Sequence, residues 1–192
     1  MNSGHRLETA RLRLEPTVEP HADFVYAALD DDAMWKFFPA YRPQTLEALR
    51  ERYRRFSGGY PYADGQEVWE NWTAFLRKNG EPVGDMQATI AIPENTAHIA
   101  YAIHRPHWRR GYAAEAARAV IGHLKIEHQA RTLFAEMNTA NEASVRLIES
   151  LGFRRIEQRK GVDSGNGLIG DEFVYQLTVA EVSTSDRSGK WR

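Results

Sequence analysis

The sequence predicts a single α/β domain, on three observations. Its 192 residues are enough for one domain with a real core and too few for two of full size. Segments that alternate apolar and polar residues interleave with segments whose apolar residues recur at helical spacing. The composition, 42% hydrophobic and 27% charged, is that of a soluble globular chain and excludes a disordered or fibrous one. The domain is assigned to residues 1–180, and the polar stretch 181–192 reads as a frayed C-terminal tail.

Leu12-Arg13-Leu14-Glu15-Pro16 alternates as a half-buried strand does, and Pro16 closes it. Over residues 19–29, Phe24, Val25, Ala28 and Leu29 fall at helical spacing before the polar break Asp30-Asp31-Asp32. A second helix is predicted over 45–56, with Leu46, Leu49, Tyr53 and Phe56 on one stripe and Gly58-Gly59 as its stop. Residues 60–70 have no period and read as a long loop, a common place for function. Strands follow over 71–77, 83–92 and 96–104, the first two joined by the turn dipeptide Asn79-Gly80.

If Glu94-Asn95 forms a two-residue turn, Ala91 lies opposite His98 and Asp85 opposite His104. One face then carries Met86, Ala88, Ile90, Ile92, Ile99, Tyr101 and Ile103, and the other Asp85, Gln87, Thr89, His98 and His104 among small alanines. That second face is either ligand-facing or an ordinary solvent face. Residues 113–128, dense in Ala and Glu, form the strongest helix. A strand over 132–137 leads to a helix over 142–151, capped by Asn141 and ended by Gly152. Two last strands, near 154–159 and 172–178, flank a Gly-rich loop over 161–170.

Charge is balanced, 25 Lys+Arg against 26 Asp+Glu, so no global basic field draws the chain to nucleic acid, and any phosphate affinity must be local. Zero cysteines exclude disulfides, thiolate metal sites and a cysteine nucleophile, and suit a reducing cytoplasm. No stretch approaches the roughly 18 apolar residues of a membrane span. The seven histidines show no metal-ligand spacing, so no metal is expected. No exposed apolar stripe demands an oligomer.

The segment that carries chemistry runs from His104 to Glu115, joining a strand to the start of the strong helix. Gly111 lets the backbone approach a ligand, the first-turn N–H groups lack helical acceptors, and the helix dipole favours an anion. Arg105, Arg109 and Arg110 add charge suited to phosphate oxygens. The composite reads as a pyrophosphate cradle. It is neither a dinucleotide nor a nucleoside-triphosphate loop, since neither glycine-rich signature occurs.

Three landmarks in order, Leu7-Glu8-Thr9-Ala10-Arg11-Leu12-Arg13-Leu14, then Trp108-Arg109-Arg110-Gly111-Tyr112-Ala113-Ala114-Glu115-Ala116, then Asn141-Glu142-Ala143-Ser144 with Leu151-Gly152-Phe153, make the chain resemble the GNAT N-acetyltransferases. Among these it is most similar to the ribosomal-protein N-terminal acetyltransferase (RimJ/RimL-type) branch. The resemblance covers residues 7–178. It implies a mixed, mostly antiparallel sheet of about seven strands with helices on both faces, splayed where coenzyme A enters between two parallel strands. It implies acetyl-CoA as co-substrate, direct attack by a primary amine of a peptide N-terminus or small molecule, and a homodimer by analogy.

The family cradle is Gln or Arg, two residues, Gly, one residue, then Gly or Ala. Trp108 departs from the first position, while Gly111 and Ala113 match. By the resemblance, backbone amides of Arg109, Arg110, Gly111, Tyr112 and Ala113 hold the pyrophosphate, the backbone of Ile103 holds the pantetheine arm, and Trp108, Asn141 and Ser144 complete the cofactor site. Many members protonate the departing thiolate with a helix Tyr, whose place here holds Ile148. Ser144 is the remaining hydroxyl, either that acid or an ordinary first-turn residue. His98 takes the place of a family Glu as general base, with Asp85 and His104 as the fallback pair. For the acceptor, Trp35 and Phe38 within residues 34–39, together with Trp69, Trp72 and Asp85, are candidate walls, and Asp64, Glu67 and Glu70 offer charge for an amine. The alternative is a catalytically silent relative acting as an acyl-CoA sensor or interaction module.

Overall fold

The computed structural model describes residues 5–57, 66–163 and 169–179. In chain order its elements are β1 (Leu7–Glu8), β2 (Leu12–Pro16), α1 (His21–Leu29), α2 (Asp32–Trp35), α3 (Leu46–Ser57), β3 (Glu67–Leu76), β4 (Pro82–Ala91), β5 (Thr96–Ile103), α4 (Tyr112–Glu127), β6 (Thr132–Asn138), α5 (Glu142–Ser150), β7 (Arg154–Asp163) and β8 (Ile169–Thr178). Among the described residues the strands form one eight-stranded sheet, ordered β1-β2-β3-β4-β5-β6-β8-β7. The strand beyond the predicted seven is the two-residue β1. The helix stop Gly58-Gly59, Asp64, the loop residues 60–65, the middle of the Gly-rich loop and the tail 181–192 lie outside the described residues.

Alternation decides which helices each face meets. Leu12, Leu14, Trp72, Ala74, Met86, Ala88, Ile90, Ala97, Ile99 and Leu133 share one core with Ala116, Ala117, Val120 and Leu124 of α4 and Ile148 of α5. The small Ala116 and Ala117 let α4 lie close on the sheet, and burying Val120 and Leu124 stabilises the contact by roughly 1.5–3 kcal/mol each. The opposite face is covered by α1, α2 and α3, which gather Val25, Leu29, Met34, Trp35, Leu49 and Tyr53 into a second cluster. Helix α3 begins one residue after the predicted start, because the Thr45 hydroxyl caps it by accepting from the Ala48 N–H at 3.0 Å.

Two sequence expectations are corrected. Residues 67–70 belong to β3 rather than to a loop, pairing with Ala91 through Ala88 of β4. The β4–β5 register is displaced by two residues: His98 faces Thr89, Asp85 faces Ala102 and Ala91 faces Thr96. The turn therefore holds four residues, Ile92 to Asn95, with Asn95 left-handed at φ 52°. Pro93 has no N–H to contribute to a ladder, so the hairpin cannot zip past it. A shift of two preserves the faces, so the predicted split into an apolar and a polar side stands.

Every strand pair is antiparallel except β5–β6. That parallel ladder lasts only for Thr96, Ala97 and His98 against Thr132, Leu133 and Phe134. Beyond it β5 stays with β4 and β6 stays with β8, so the two part into a V. Gly84 allows the last step: a Cβ there would meet the Ala102 carbonyl oxygen at 2.2 Å, so the end of β5 presses on β4 only because Gly84 has none.

Candidate active site

The open end of the V leads directly into the cradle. After Ile103 a 3-10 turn, Arg105–His107, carries the chain to Arg109 and Gly111, both left-handed at φ 58° and 78°. Gly111 is the N-cap of α4, and no side chain caps the helix. Its first-turn N–H groups therefore point outward without a helical acceptor, at the positive end of a 16-residue helix. That arrangement suits a pyrophosphate.

The cradle is clamped from behind. Glu115 accepts from the Arg11 backbone N–H at 2.8 Å, the Arg11 Nε at 2.6 Å and the Thr9 hydroxyl at 2.5 Å. Arg11 also donates to the Arg110 carbonyl at 2.9 Å and lies over the Tyr112 ring, 4.5 Å from its centroid. Burial would raise the Glu115 pKa, but these donors and the guanidinium charge carry it below the ordinary value. Trp108 folds back so that its Nε1 donates to the Ile103 carbonyl at 2.6 Å. This fixes the loop and engages the group that the resemblance assigned to the pantetheine arm. Arg109 and Arg110 carry no ion pair among the described residues, while Arg105 meets Asp31 at 3.3 Å and ties the α1–α2 connection to the loop.

Ser144 stands half-buried in the first turn of α5, its N–H bonded to the Asn141 side chain at 3.3 Å. Asn141 thus serves as a helix cap. Ile148, in the place of the family tyrosine, is wholly buried in the core. A tyrosine nevertheless reaches this wall from another element. Tyr101 of β5 lies on the α4 face, and its hydroxyl is buried with no protein hydrogen-bond partner. Burial pushes its pKa up to about 12, and the neighbouring Ser144 side chain opposes part of that rise. Sequence reasoning missed Tyr101 because it counted only as one apolar residue on the apolar face. Its spacing three residues before His104 and the cradle was the available signal.

His98 lies on the opposite face of β5, exposed at the closed end of the V and stacked on Phe134 with 5.1 Å between ring centroids. Asp85 and His104 are brought into mutual influence on the same side of the sheet. Asp85 Oδ2 accepts from the Tyr53 hydroxyl at 2.8 Å, while Oδ1 is buried without a protein partner. Burial raises the Asp85 pKa, opposed by His104, Tyr53 and Thr73. His104 is shifted down by burial, and its Nδ1 lies 3.2 Å from the Pro82 carbonyl.

The aromatic acceptor candidates fare unevenly. Trp72 is wholly buried under α4 with its Nε1 donating to the His5 carbonyl, and Trp35 is interior with its Nε1 donating to the Leu29 carbonyl at 2.7 Å. Both are core residues, because a ring that large is best buried where its N–H finds an acceptor. Phe38, partly buried, packs edge-on against Trp35. Glu70 is also interior, held by two histidines, and has no access to an acceptor amine.

A model of the acetyltransferase (GNAT) domain matches residues 11–154. The chain is 26% identical over 172 residues to the uncharacterized N-acetyltransferase YoaA of Bacillus subtilis, which spans 89% of this chain and 95% of that one. Among solved structures it is similar to a GNAT-family acetyltransferase from Bacillus anthracis, with a TM-score of 0.76 at 21% identity over 91% of this chain and 98% of that one. It is also similar to RimL, a ribosomal L7/L12 alpha-N-protein acetyltransferase in complex with coenzyme A, with a TM-score of 0.77 at 17% identity over 91% and 98%. At such identities the solved structures establish the fold.

Proposed function

The chain belongs to the GNAT acetyltransferase family and is an acyl-CoA-dependent N-acetyltransferase, and we propose that it uses acetyl-CoA held at Arg109 to Ala113 to acetylate a primary amine within the β5–β6 V. The observation that carries this reading is the parting of the parallel pair after His98 and Phe134, immediately ahead of an uncapped helix N-terminus. When bound there, acetyl-CoA supplies the activated acyl group. The amides of Tyr112 and Ala113 hold its pyrophosphate, with Arg109 and Arg110 as side-chain counter-charges.

The two faces of β5 divide the proton traffic. His98, beside the small Ala100 and Ala102, takes the proton of the incoming ammonium directly or through water. On the other face Ser144, backed by the protonated phenol of Tyr101, donates to the departing thiolate. Tyr101 thus takes up a role for which Ile148 has no group. The acceptor is a peptide N-terminus, as the name of RimL describes for that protein, or a small amine. Acetyl-CoA use and the absence of cysteine support a cytoplasmic setting. Among the described residues no helix is long and apolar enough to cross a membrane.

The test is release of free coenzyme A thiol from acetyl-CoA across a panel of N-terminal peptides and small amines. Amine-dependent turnover with at least one acceptor is expected. Tight coenzyme A binding without turnover on any acceptor would replace this reading with a silent acyl-CoA sensor.

A further inference from the structure

Toward the other end of α4, about 16–24 Å along the helix from the cradle at 1.5 Å per residue, three side chains converge that the acetyl-transfer site does not use. His123 Nε2 lies 2.7 Å from Glu70 Oε2, and His128 Nε2 lies 3.2 Å from Glu70 Oε1. One ligand atom from each lies within 4.8 Å of the others. We propose that Glu70, His123 and His128 form a binding site for one divalent transition-metal ion, zinc by the chemistry of the donors.

The donor set argues for zinc rather than magnesium or calcium. Two imidazole nitrogens and one carboxylate are a known zinc combination that leaves a fourth position open, whereas the hard cations ask for oxygen alone. Glu70 and His123 are 2% and 4% exposed, so the site is desolvated, while the His128 side chain, 20% exposed, gives it an opening to solvent. The rings are already held. His123 stands edge-on to Trp72 at 5.6 Å and to His128 at 5.4 Å. His5, its ring 5.5 Å from that of His123, is the nearest further imidazole for the fourth position.

Zinc bonds of about 2.0–2.1 Å separate tetrahedral ligand atoms by about 3.3 Å; the two imidazoles now meet different oxygens of Glu70, at 2.7 and 3.2 Å, and one ligand atom from each residue lies within 4.8 Å of the others, so binding draws the side chains together around the ion. Each Nε2 must then offer its lone pair in place of an N–H, so binding displaces the protons that join the imidazoles to Glu70. An ion here would tie the start of β3, the end of α4 and the N-terminal segment at His5 together. The sequence hid the set, because its members come from β3 and, more than fifty residues later, the end of α4.

The experiment uses the purified full-length chain after dialysis against a chelator, titrated calorimetrically with zinc chloride and, separately, with cobalt(II) read by its visible absorption. The expected result is one zinc per chain, a rise in melting temperature that chelator reverses, and the intense visible band of low-coordinate cobalt. His128→Ala and Glu70→Gln, shown folded by circular dichroism, should each bind zinc at least about tenfold more weakly, about 1.4 kcal/mol. The cobalt spectrum of the unsubstituted chain decides the matter even if a variant fails to fold. No zinc uptake at micromolar metal, six-coordinate cobalt, or variants that bind as tightly as the parent would overturn the proposal and leave the cluster a hydrogen-bonded triad.

Discussion

Tyr101→Phe separates catalysis from folding, because it moves the two in opposite directions. The change removes one oxygen that is buried and lacks a protein partner. An unsatisfied buried polar atom costs about 1–3 kcal/mol, so stability to urea should stay level or rise by up to that amount. Tm should stay or climb by a few degrees. Activity should fall. A general acid contributes about 10²–10⁴-fold, or about 2.7–5.4 kcal/mol of barrier at about 1.36 kcal/mol per decade. Ser144 remains in the variant, so the loss should lie near the lower end. The assay is the steady-state rate of thiol release together with direct coenzyme A affinity, which should be unchanged. Ser144→Ala should produce a similar kcat loss, and the double variant should lose less than the product of the two, since both hydroxyls serve one proton. With the phenol pKa near 12, this acid is protonated throughout the usual assay range, so Tyr101→Phe should lower the pH–rate profile without moving its limbs. A variant that is destabilised by more than about 1 kcal/mol yet retains kcat within about twofold would refute the reasoning and make the phenol a structural group.

His98→Ala should lower kcat by about 10²–10⁴-fold with little stability change, since the ring is exposed and stacks on Phe134. Full activity in the variant would transfer the role to Asp85. Gly111→Ala places a side chain at φ 78° and a Cβ 3.3 Å from Arg11 Nη2. The left-handed penalty of about 1–2 kcal/mol should appear as a higher KM for acetyl-CoA with kcat at saturation largely kept, and equal KM values would contradict the cradle geometry. Glu115 has its pKa lowered in the folded chain, so it stabilises the fold above its ordinary value of 4.5, and the contribution disappears as pH falls through the lower folded value. Urea curves of the parent and Glu115→Gln should therefore differ at neutral pH and converge in acid, and a gap that persists in acid would show that packing rather than charge holds the clamp.

The parts of the fold legible in the sequence are those where short-range pattern and long-range packing agree. Residues 12–16 alternate and are a strand with those bounds, and the Ala-rich stretch after Gly111 is the helix that covers the sheet. Glu70 shows the opposite case. A glutamate beside two tryptophans reads as polar loop, and only His123 and His128, more than fifty residues away, make it an interior strand residue. The hairpin slipped by two for want of weight given to Pro93, whose missing N–H ends the ladder early. Trp35 and Trp72 look alike in composition to residues lining a cleft, and their acceptors, Leu29 and His5, are visible only in three dimensions. The strand–glycine–helix junction with its left-handed Gly111 and uncapped helix start was legible because its backbone geometry follows from the chain itself. Of the two hydroxyls proposed as the proton donor, Ser144 follows from its landmark, while Tyr101 enters the proposal only because α5 sets Ser144 beside it.

Calorimetric titration of the full chain with coenzyme A, and in parallel with coenzyme A lacking the pyrophosphate-bearing nucleotide half (pantetheine), tests the site directly. Saturable binding of one coenzyme A per chain is predicted, with pantetheine far weaker, because the uncapped amides after Gly111 and the arginines beside them recognise the pyrophosphate. No heat of binding at millimolar coenzyme A, or equal affinity for pantetheine, would contradict it.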